Sequence, residues 1–236
     1  MLINRDTAIS TSSVLLVPYE ASHVPTYHEW MKDNQIQADT ASEPLSLPEE
    51  YNMQRSWRTD HDKLTFIACM PLPSPMSVLE PGTSDSPAHM LGDVNLFLTP
   101  SDEDDEGVVG ELELMIAPTS QRRKGYGRAT VLAFMQYITS SLTSILSEYG
   151  EGQTPKIDKP RLLQLKVKIG SKNVKSIRLF ESIGFLKVGE GPNYFGELEL
   201  VFEGFLGDAR VEGLRKKYRV ESYQEMRYGE EGNSAR

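Results

Sequence analysis

The sequence predicts an α/β fold, of the α+β kind, in which helices flank a mixed and mostly antiparallel sheet. The first observation is the order of the elements: a strand, two helices, three strands, a long helix, a strand, a helix and a strand pair. The second is size, because 236 residues with 39% hydrophobic content suit one domain with a sizeable core. The third is a strand that passes through a basic, glycine-containing turn directly into the long helix.

Apolar periodicity assigns the elements of the N-terminal half. Alternation with period two predicts strands, and apolar residues three and four positions apart predict helices. The predicted helices cover residues 20–32 and 47–58, and the predicted strands cover 14–17, 63–70, 92–99 and 110–117. Residues 71–90 are rich in Pro and Ser and have no period, so we interpret them as an insertion between two strands.

The same rules assign the C-terminal half. The predicted helices cover 125–142 and 174–183, and the predicted strands cover 162–169, 185–188 and 196–203. Residues 147–160 contain Gly, Pro and charge and are predicted to form a loop. We expect one domain over residues 1–206, followed over 207–236 by a short helix near 208–217 and a flexible tail.

Composition argues against several classes of function. The net charge of −9 disfavours broad nucleic-acid binding, and no continuous apolar run approaches the length of a membrane span. The N-terminus has no apolar signal core, and the single cysteine, Cys69, lies in an apolar strand and fits a reducing compartment. The four histidines form no ligand set, so we expect no metal. We expect a cytoplasmic protein, with the nucleus left open.

The basic turn at residues 121–129 predicts an anion site. The first N–H groups of a helix have no internal partner, and the helix dipole adds partial positive charge. Two glycines, Gly125 and Gly127, allow close approach of a diphosphate, and Arg122, Arg123 and Lys124 add charge beside it. The glycine spacing fits neither a Walker loop nor a dinucleotide fingerprint, and an ordinary basic surface turn remains the alternative.

A second segment follows the strand at 162–169. Its pattern is Asn-x-x-Ser-x-x-Leu-Phe-x-x-x-Gly-Phe, which begins at Asn173 and ends at Phe185. Apolar residues repeat at helical spacing within it, and Gly184 is suited to end the helix. Two ordered motifs on suitable elements are harder to obtain by accident than one.

These two segments resemble the signatures of the GCN5-related N-acetyltransferase (GNAT) superfamily. The first resembles its acyl-coenzyme A motif, Arg-x-x-Gly-x-Gly, and the second resembles the signature whose Asn faces the pantetheine arm. Further strings resemble the N-acetyltransferase-nine-like subfamily, itself similar to ribosomal-protein alanine acetyltransferases; they lie at 17–19, 27–31, 40–45, 50–51, 92–98 and 110–117.

The resemblance implies the GNAT fold, acetyl-CoA as cosubstrate and direct transfer in a ternary complex. It also implies a protein or peptide amine as acceptor, at an N-terminus or a lysine, with tubulin among the proteins that subfamily members are described as acting on or binding. The residues that it assigns to the coenzyme are Met115, Ile116, Ala117, Arg122, Arg123, Lys124, Gly125, Tyr126, Gly127, Arg128, Asn173, Ser176 and Phe180. Among them, backbone N–H groups of Met115 and Ile116 are expected to polarise the thioester carbonyl.

The expected general base lies on the strand before the basic turn. Glu111 occupies the family position of a catalytic Glu, and Glu113 follows two residues later on the same face of the strand. Two nearby carboxylates raise one pKa, which suits a base near neutral pH. The alternative, which is favoured for Glu113, is a pair of solvated acids on an outer sheet face.

The proton donor to the departing thiolate is the least defined part of the expected site. Many relatives carry Tyr where this chain has Phe180, and Phe has no proton to donate. Tyr194 and Ser176 are candidate substitutes, and water is another. This departure leaves two further functions open: a catalytically weak coenzyme-binding or microtubule-associated protein on the same fold, and a small-amine acetyltransferase.

Overall fold

Ten strands and six helices make up the part of the chain that the computed structural model describes, namely residues 1–73, 76, 78–204 and 208–229. The strands are β1 (Thr7–Ser10), β2 (Leu15–Pro18), β3 (Lys63–Cys69), β4 (Val78–Leu79), β5 (Met90–Pro100), β6 (Gly107–Ile116), β7 (Arg161–Gly170), β8 (Leu186–Val188), β9 (Glu197–Phe202) and β10 (Gln224–Tyr228). The helices are α1 (Val24–Trp30), α2 (Asn34–Asp39), α3 (Leu47–Thr59), α4 (Tyr126–Gly152), α5 (Val174–Ser182) and α6 (Asp208–Lys217).

All ten strands form one sheet in the order β4-β10-β1-β2-β3-β5-β6-β7-β9-β8. Only the β6–β7 and β10–β4 pairs are parallel among these strands, so the predicted mixed, mostly antiparallel sheet is confirmed. The crossover from β6 to β7 contains α4, as a parallel connection requires. The central position of β6, between β5 and β7, puts the strand before the basic turn in the middle of the fold.

The sheet carries a core on each face. On one face, the β3 ring of Phe66 meets two α4 rings edge-on, with centroids 5.9 Å from Phe134 and 5.2 Å from Tyr137. The opposite face packs against α1 and α3, where the Tyr27 ring lies 5.4 Å from the Tyr19 ring at a tilt of 38°. Alternation along each strand therefore sends one set of side chains to α4 and the other to the α1–α3 face.

The long helix α4 extends ten residues further than the sequence predicts. Residues 147–152 belong to it rather than to the expected loop, because Ile145, Leu146 and Tyr149 continue the apolar period and are buried. By length and composition α4 also passes for a membrane-spanning helix, but most of its apolar window is buried against the sheet, as in the core helix of a folded domain.

The expectation of a frayed tail after residue 217 is wrong for the described residues. Strand β10 pairs with β1 on one side and with β4 on the other, and β4 lies inside the predicted insertion. The sequence also gives no signal for α2, and α1 begins at Val24 rather than at residue 20, after a short 3-10 turn. The remainder of the expected tail, residues 230–236, lies outside the described part of the chain.

A buried carboxylate joins the insertion and β10 to the rest of the domain. Asp85 accepts hydrogen bonds from the Tyr228 hydroxyl at 2.6 Å and from the Gly82 N–H at 2.6 Å. His23 Nδ1 accepts the backbone N–H of Glu20, so its Nε2–H donates to Asp85 at 3.0 Å. The side chains of His23 and Asp85 are almost completely buried, so these hydrogen bonds connect three distant segments away from water.

We expect the substitution Asp85→Ala to destabilise the fold by about 3 kcal/mol or more, because it strands buried donors without an acceptor. The control is Asp105→Ala, which removes an exposed carboxylate and should change stability by less than about 0.5 kcal/mol. Urea unfolding of both variants measures the difference. Equal stability of the two variants would show that the Asp85 contacts contribute nothing net.

Candidate functional site

The candidate site is an opening between β6 and β7. The two strands pair in parallel from Gly107–Arg161 to Glu111–Lys166, and the pairing ends there. Beyond this point β6 remains paired with β5 as far as Ile116, and β7 remains paired with β9 as far as Gly170. The backbone of β6 beyond Glu111 therefore faces a wedge instead of a neighbouring strand.

The basic turn closes the α4 end of this wedge. Gly125 is the N-cap of α4, and its φ of 95° is a left-handed conformation that glycine adopts without strain. A Cβ at this position would have no atom within 4 Å, so the backbone here is open to a ligand. Gly127 differs, because its Cβ would lie 3.1 Å from Leu179 and 3.3 Å from Leu114. The second glycine thus lets α4 pack closely on α5 and β6.

The four basic residues of the turn differ in their contacts. Arg122 donates from Nε to the Ile116 carbonyl at 2.7 Å and from Nη2 to the Ala117 carbonyl at 3.1 Å, which fixes the turn to the end of β6. Arg128 donates to Ser182 on α5 and lies 4.2 Å over the Tyr218 ring. Arg123 and Lys124 are exposed, and Lys124 Nζ donates to Gln121 Oε1 at 2.9 Å within the turn.

The N-terminus of α5 borders the same wedge through β7. Asn173 caps the helix, since its side-chain oxygen accepts the Ser176 N–H at 3.2 Å. Phe180 is buried, and its ring meets Phe185 edge-on at 5.2 Å. Phe180 therefore forms part of the core between α5 and the sheet. Tyr126 is half-buried against the same core.

The two predicted catalytic carboxylates differ in their surroundings. Glu111 Oε2 lies 2.9 Å from Lys168 Nζ and 4.0 Å from Lys166 Nζ, and Lys166 also lies 3.5 Å from Glu199. This network holds Glu111 in an ion pair at the point where β6 and β7 separate. Among the described residues, Glu113 has no salt-bridge partner within 4 Å.

Glu113 has the properties of a groove carboxylate. Its side chain is open to solvent, yet it is surrounded by protein on several sides. Desolvation, together with the negative charges of Asp93 and Glu111, raises the pKa of Glu113 to about 7. The Lys168 ammonium opposes this shift. Glu113 is thus close to half-protonated at neutral pH, a state suited to a proton acceptor, whereas the sequence favours Glu111 for that role.

The structure adds two residues that sequence reasoning missed. Asp93 and Asn95 lie on β5 directly opposite Met115 and Glu113, on the same face of the sheet. Both are buried, and Asn95 Nδ2 donates to Asp93 Oδ2 at 2.8 Å. Burial raises the pKa of Asp93 to about 6. A signal was present, because Asp and Asn in the middle of an apolar strand are seldom buried without a role.

Tyr194 is not brought to the carboxylates. It is 96% exposed in the turn between β8 and β9, and its ring contact is with the neighbouring Phe195. The structure thus gives no support to this residue as a proton donor at the thiolate. Within the described chain, no group of three or more His, Cys, Asp or Glu side chains is arranged to hold a metal ion.

Comparison with known proteins identifies the fold and its relatives. The family model described as "Acetyltransferase (GNAT) domain" matches residues 13–186. The chain is 42% identical over 224 residues to an N-acetyltransferase 9-like protein of Schizosaccharomyces pombe, across 85% of this chain and 97% of that protein. It is 40% identical over 189 residues to a human protein named alpha/beta-tubulin-N-acetyltransferase 9, across 80% of this chain and 79% of that protein.

Solved structures share the fold at low identity. Spermidine N-acetyltransferase from Vibrio cholerae, in complex with CoA and spermine, superposes with a TM-score of 0.60 at 16% identity, across 83% of this chain and 99% of that one. The ribosomal L7/L12 alpha-N-protein acetyltransferase RimL, in complex with coenzyme A, gives a TM-score of 0.56 at 12% identity, across 83% and 97%. The resemblance noted from the sequence motifs is confirmed.

The open backbone at Gly125 makes coenzyme binding testable. We expect acetyl-CoA at a hundredfold excess over its Kd to stabilise the protein by about 2.7 kcal/mol. Gly125→Glu should abolish this gain, because it places a carboxylate where the diphosphate is expected. Gly229→Glu is the matched control, with φ of 91° and no atom within 4 Å of its Cβ position. Thermal unfolding with and without ligand reads the result, and an unchanged gain in Gly125→Glu would remove the turn from the binding site.

Proposed function

The chain belongs to the GNAT family and is an N-acetyltransferase, and from this premise we propose that it transfers an acetyl group from acetyl-CoA to an amine of a protein. The observation that supports the proposal is the wedge between β6 and β7, which is bordered by the β6 segment that carries Glu113 and precedes the open glycine turn at the N-terminus of α4. This arrangement combines a candidate anion site, backbone without a neighbouring strand and a carboxylate.

Backbone geometry supports one N–H group for the role of polarising the acetyl carbonyl. In an antiparallel pair, successive residues direct their N–H groups to opposite sides of the strand. The Ala117 N–H donates to the Leu91 carbonyl on the β5 side, at 2.8 Å. The N–H of Ile116 is therefore directed toward the wedge, and we assign to it the polarising role.

We assign the proton-accepting role to Glu113, beside a Glu111 that Lys168 holds in an ion pair. Acetyl-CoA supplies the acetyl group as a thioester. The acceptor ammonium gives one proton to Glu113, its nitrogen forms a bond to the carbonyl carbon, and the C–S bond breaks. The second proton leaves the nitrogen for the sulfur, directly or through water, because Phe180 has none to give and Tyr194 is exposed at a hairpin tip.

A protein acceptor is supported by the relatives. Two proteins about 40% identical to this chain, from human and Drosophila melanogaster, carry names that specify α- and β-tubulin as the object of acetylation. We propose tubulin as a candidate acceptor on that basis. Mass spectrometry of tubulin incubated with the purified protein and acetyl-CoA tests this assignment directly, with Gly125→Glu as the inactive control.

Removal of the base should slow transfer in a pH-dependent way. Glu113→Gln keeps the shape of the side chain and should lower turnover by about a hundredfold at pH 7, with coenzyme affinity little changed. The loss should shrink at high pH, where the amine deprotonates unaided. We expect Glu111→Gln to have the smaller effect, measured by the same steady-state assay. A larger, pH-dependent loss in Glu111→Gln would give the role to Glu111.

A base with pKa about 7 is matched to an α-amino group. An N-terminal amine has pKa near 8 and a lysine near 10.4, so the neutral fraction at pH 7 differs by roughly a few hundredfold. We expect a peptide with a free N-terminus and an acetylated lysine to react at least about a hundredfold faster than its N-terminally blocked counterpart with a free lysine. Equal rates for this matched pair would contradict an α-amine preference.

A further inference from the structure

We infer that Asp93 is a positioning residue for proton transfer, because its buried carboxylate lies diagonally across the β5–β6 pair from Glu113 and acts on Glu113 through its charge. The inference rests on the proposed function, because it extends the catalytic role given there to Glu113. It adds a second strand, β5, to a mechanism so far assigned to β6, and it assigns a task to a charge that folding alone would disfavour.

The register of the sheet brings the two carboxylates together. Glu113 is paired with Asn95, and Met115 with Asp93, so the two acids occupy diagonal positions on one face of adjacent strands. Diagonal neighbours on an antiparallel pair lie roughly 7–8 Å apart, which is within reach of long polar side chains. Water cannot screen Asp93 well, because its side chain is only 3% exposed.

The surroundings of Asp93 hold its carboxylate in one place. Asn95 donates to Oδ2 at 2.8 Å, and the Tyr27 hydroxyl on α1 lies 3.5 Å from the same atom. Both donors favour the charged form, and burial opposes it. With a pKa of about 6, Asp93 is mostly ionised at pH 7, so its negative charge is present when Glu113 titrates.

Four charged groups act on Glu113, and their signs make distinct predictions. The charge of Asp93 on β5 raises the pKa of Glu113 most. The charges of Glu111 on β6 and Glu197 on β9 also raise it, and the charge of Lys168 on β7 lowers it. On the side of the helices, the charges of Asp93 and Glu113 both raise the pKa of Tyr27 on α1. If Asp93 loses its charge, Glu113 must become a weaker base; if Lys168 loses its charge, Glu113 must become a stronger one.

The direct test follows the carboxyl carbon signals of the free protein by NMR as a function of pH, with Glu113→Gln used to assign the Glu113 signal. In Asp93→Asn, which keeps the side-chain shape, the Glu113 midpoint should fall from about 7 toward 4.5 by about one pH unit or more. In Lys168→Met it should rise. Glu50→Gln is the control, because it removes another buried carboxylate on the α1–α3 face that is absent from the charges acting on Glu113.

The wild type provides a second measurement that does not depend on the Asp93→Asn variant. Coupled groups titrate as a pair, so the Glu113 signal should carry a smaller inflection near pH 6, where Asp93 ionises. A single inflection, an unchanged midpoint in Asp93→Asn, or an equal shift in Glu50→Gln would overturn the inference.

Activity separates this inference from the proposed function. If Asp93 tunes Glu113, the acid limb of kcat/KM for an α-amine peptide moves to lower pH in Asp93→Asn, whereas a merely structural role lowers the rate equally at every pH. If the wild type acetylates no peptide or tubulin, the proposed function fails, and the NMR titration still decides whether the two carboxylates are coupled.

Discussion

The divergence of β6 from β7 after Glu111–Lys166 is the constraint on which the rest of the site depends. A strand in the middle of a sheet normally has both of its backbone edges paired, and an unpaired edge costs free energy unless another group satisfies it. Here β6 stays paired with β5 and β7 stays paired with β9, and α4 begins ten residues after the end of β6. The fold thus places backbone N–H groups of β6 and the N-terminus of α4 next to each other in the chain.

The alternation of side chains then divides the chemistry between the two faces of the sheet. On the α4 face, β6 contributes Leu112 and Leu114 to the core, and Gly127 allows α4 to approach them. On the other face, the same strand presents Glu111 and Glu113. A shift of the register by one residue would exchange these roles, so the packing of α4 fixes the direction of the carboxylates.

The sequence predicted the central strands well, because burial there follows a regular period, while its assignment of coenzyme-binding residues stays a prediction. It failed on one side of the sheet, where β1, β4 and β10 are only four, two and five residues long, too short for a clear periodic signal; these strands form through pairing and through the Asp85 contacts. It also missed Asp93, because a two-state apolar and polar pattern does not show which polar residues fold inward. The ion pair between Glu111 and Lys168 was also not anticipated, because the two residues lie 57 positions apart on different strands.

The burial of Asp93 has a thermodynamic consequence that supports a functional origin. Its pKa rises from 3.8 to about 6 on folding, so the folded state holds its proton more tightly than the unfolded state does. The stabilisation of the folded state by the protonated Asp93 carboxyl is therefore present below about pH 4 and is lost as the pH rises to about 6. By linkage, the ionised carboxylate costs on the order of 3 kcal/mol at neutral pH. An asparagine would fit the same space without that cost, so fold stability alone does not account for a carboxylate at this position beside Met115 and Glu113.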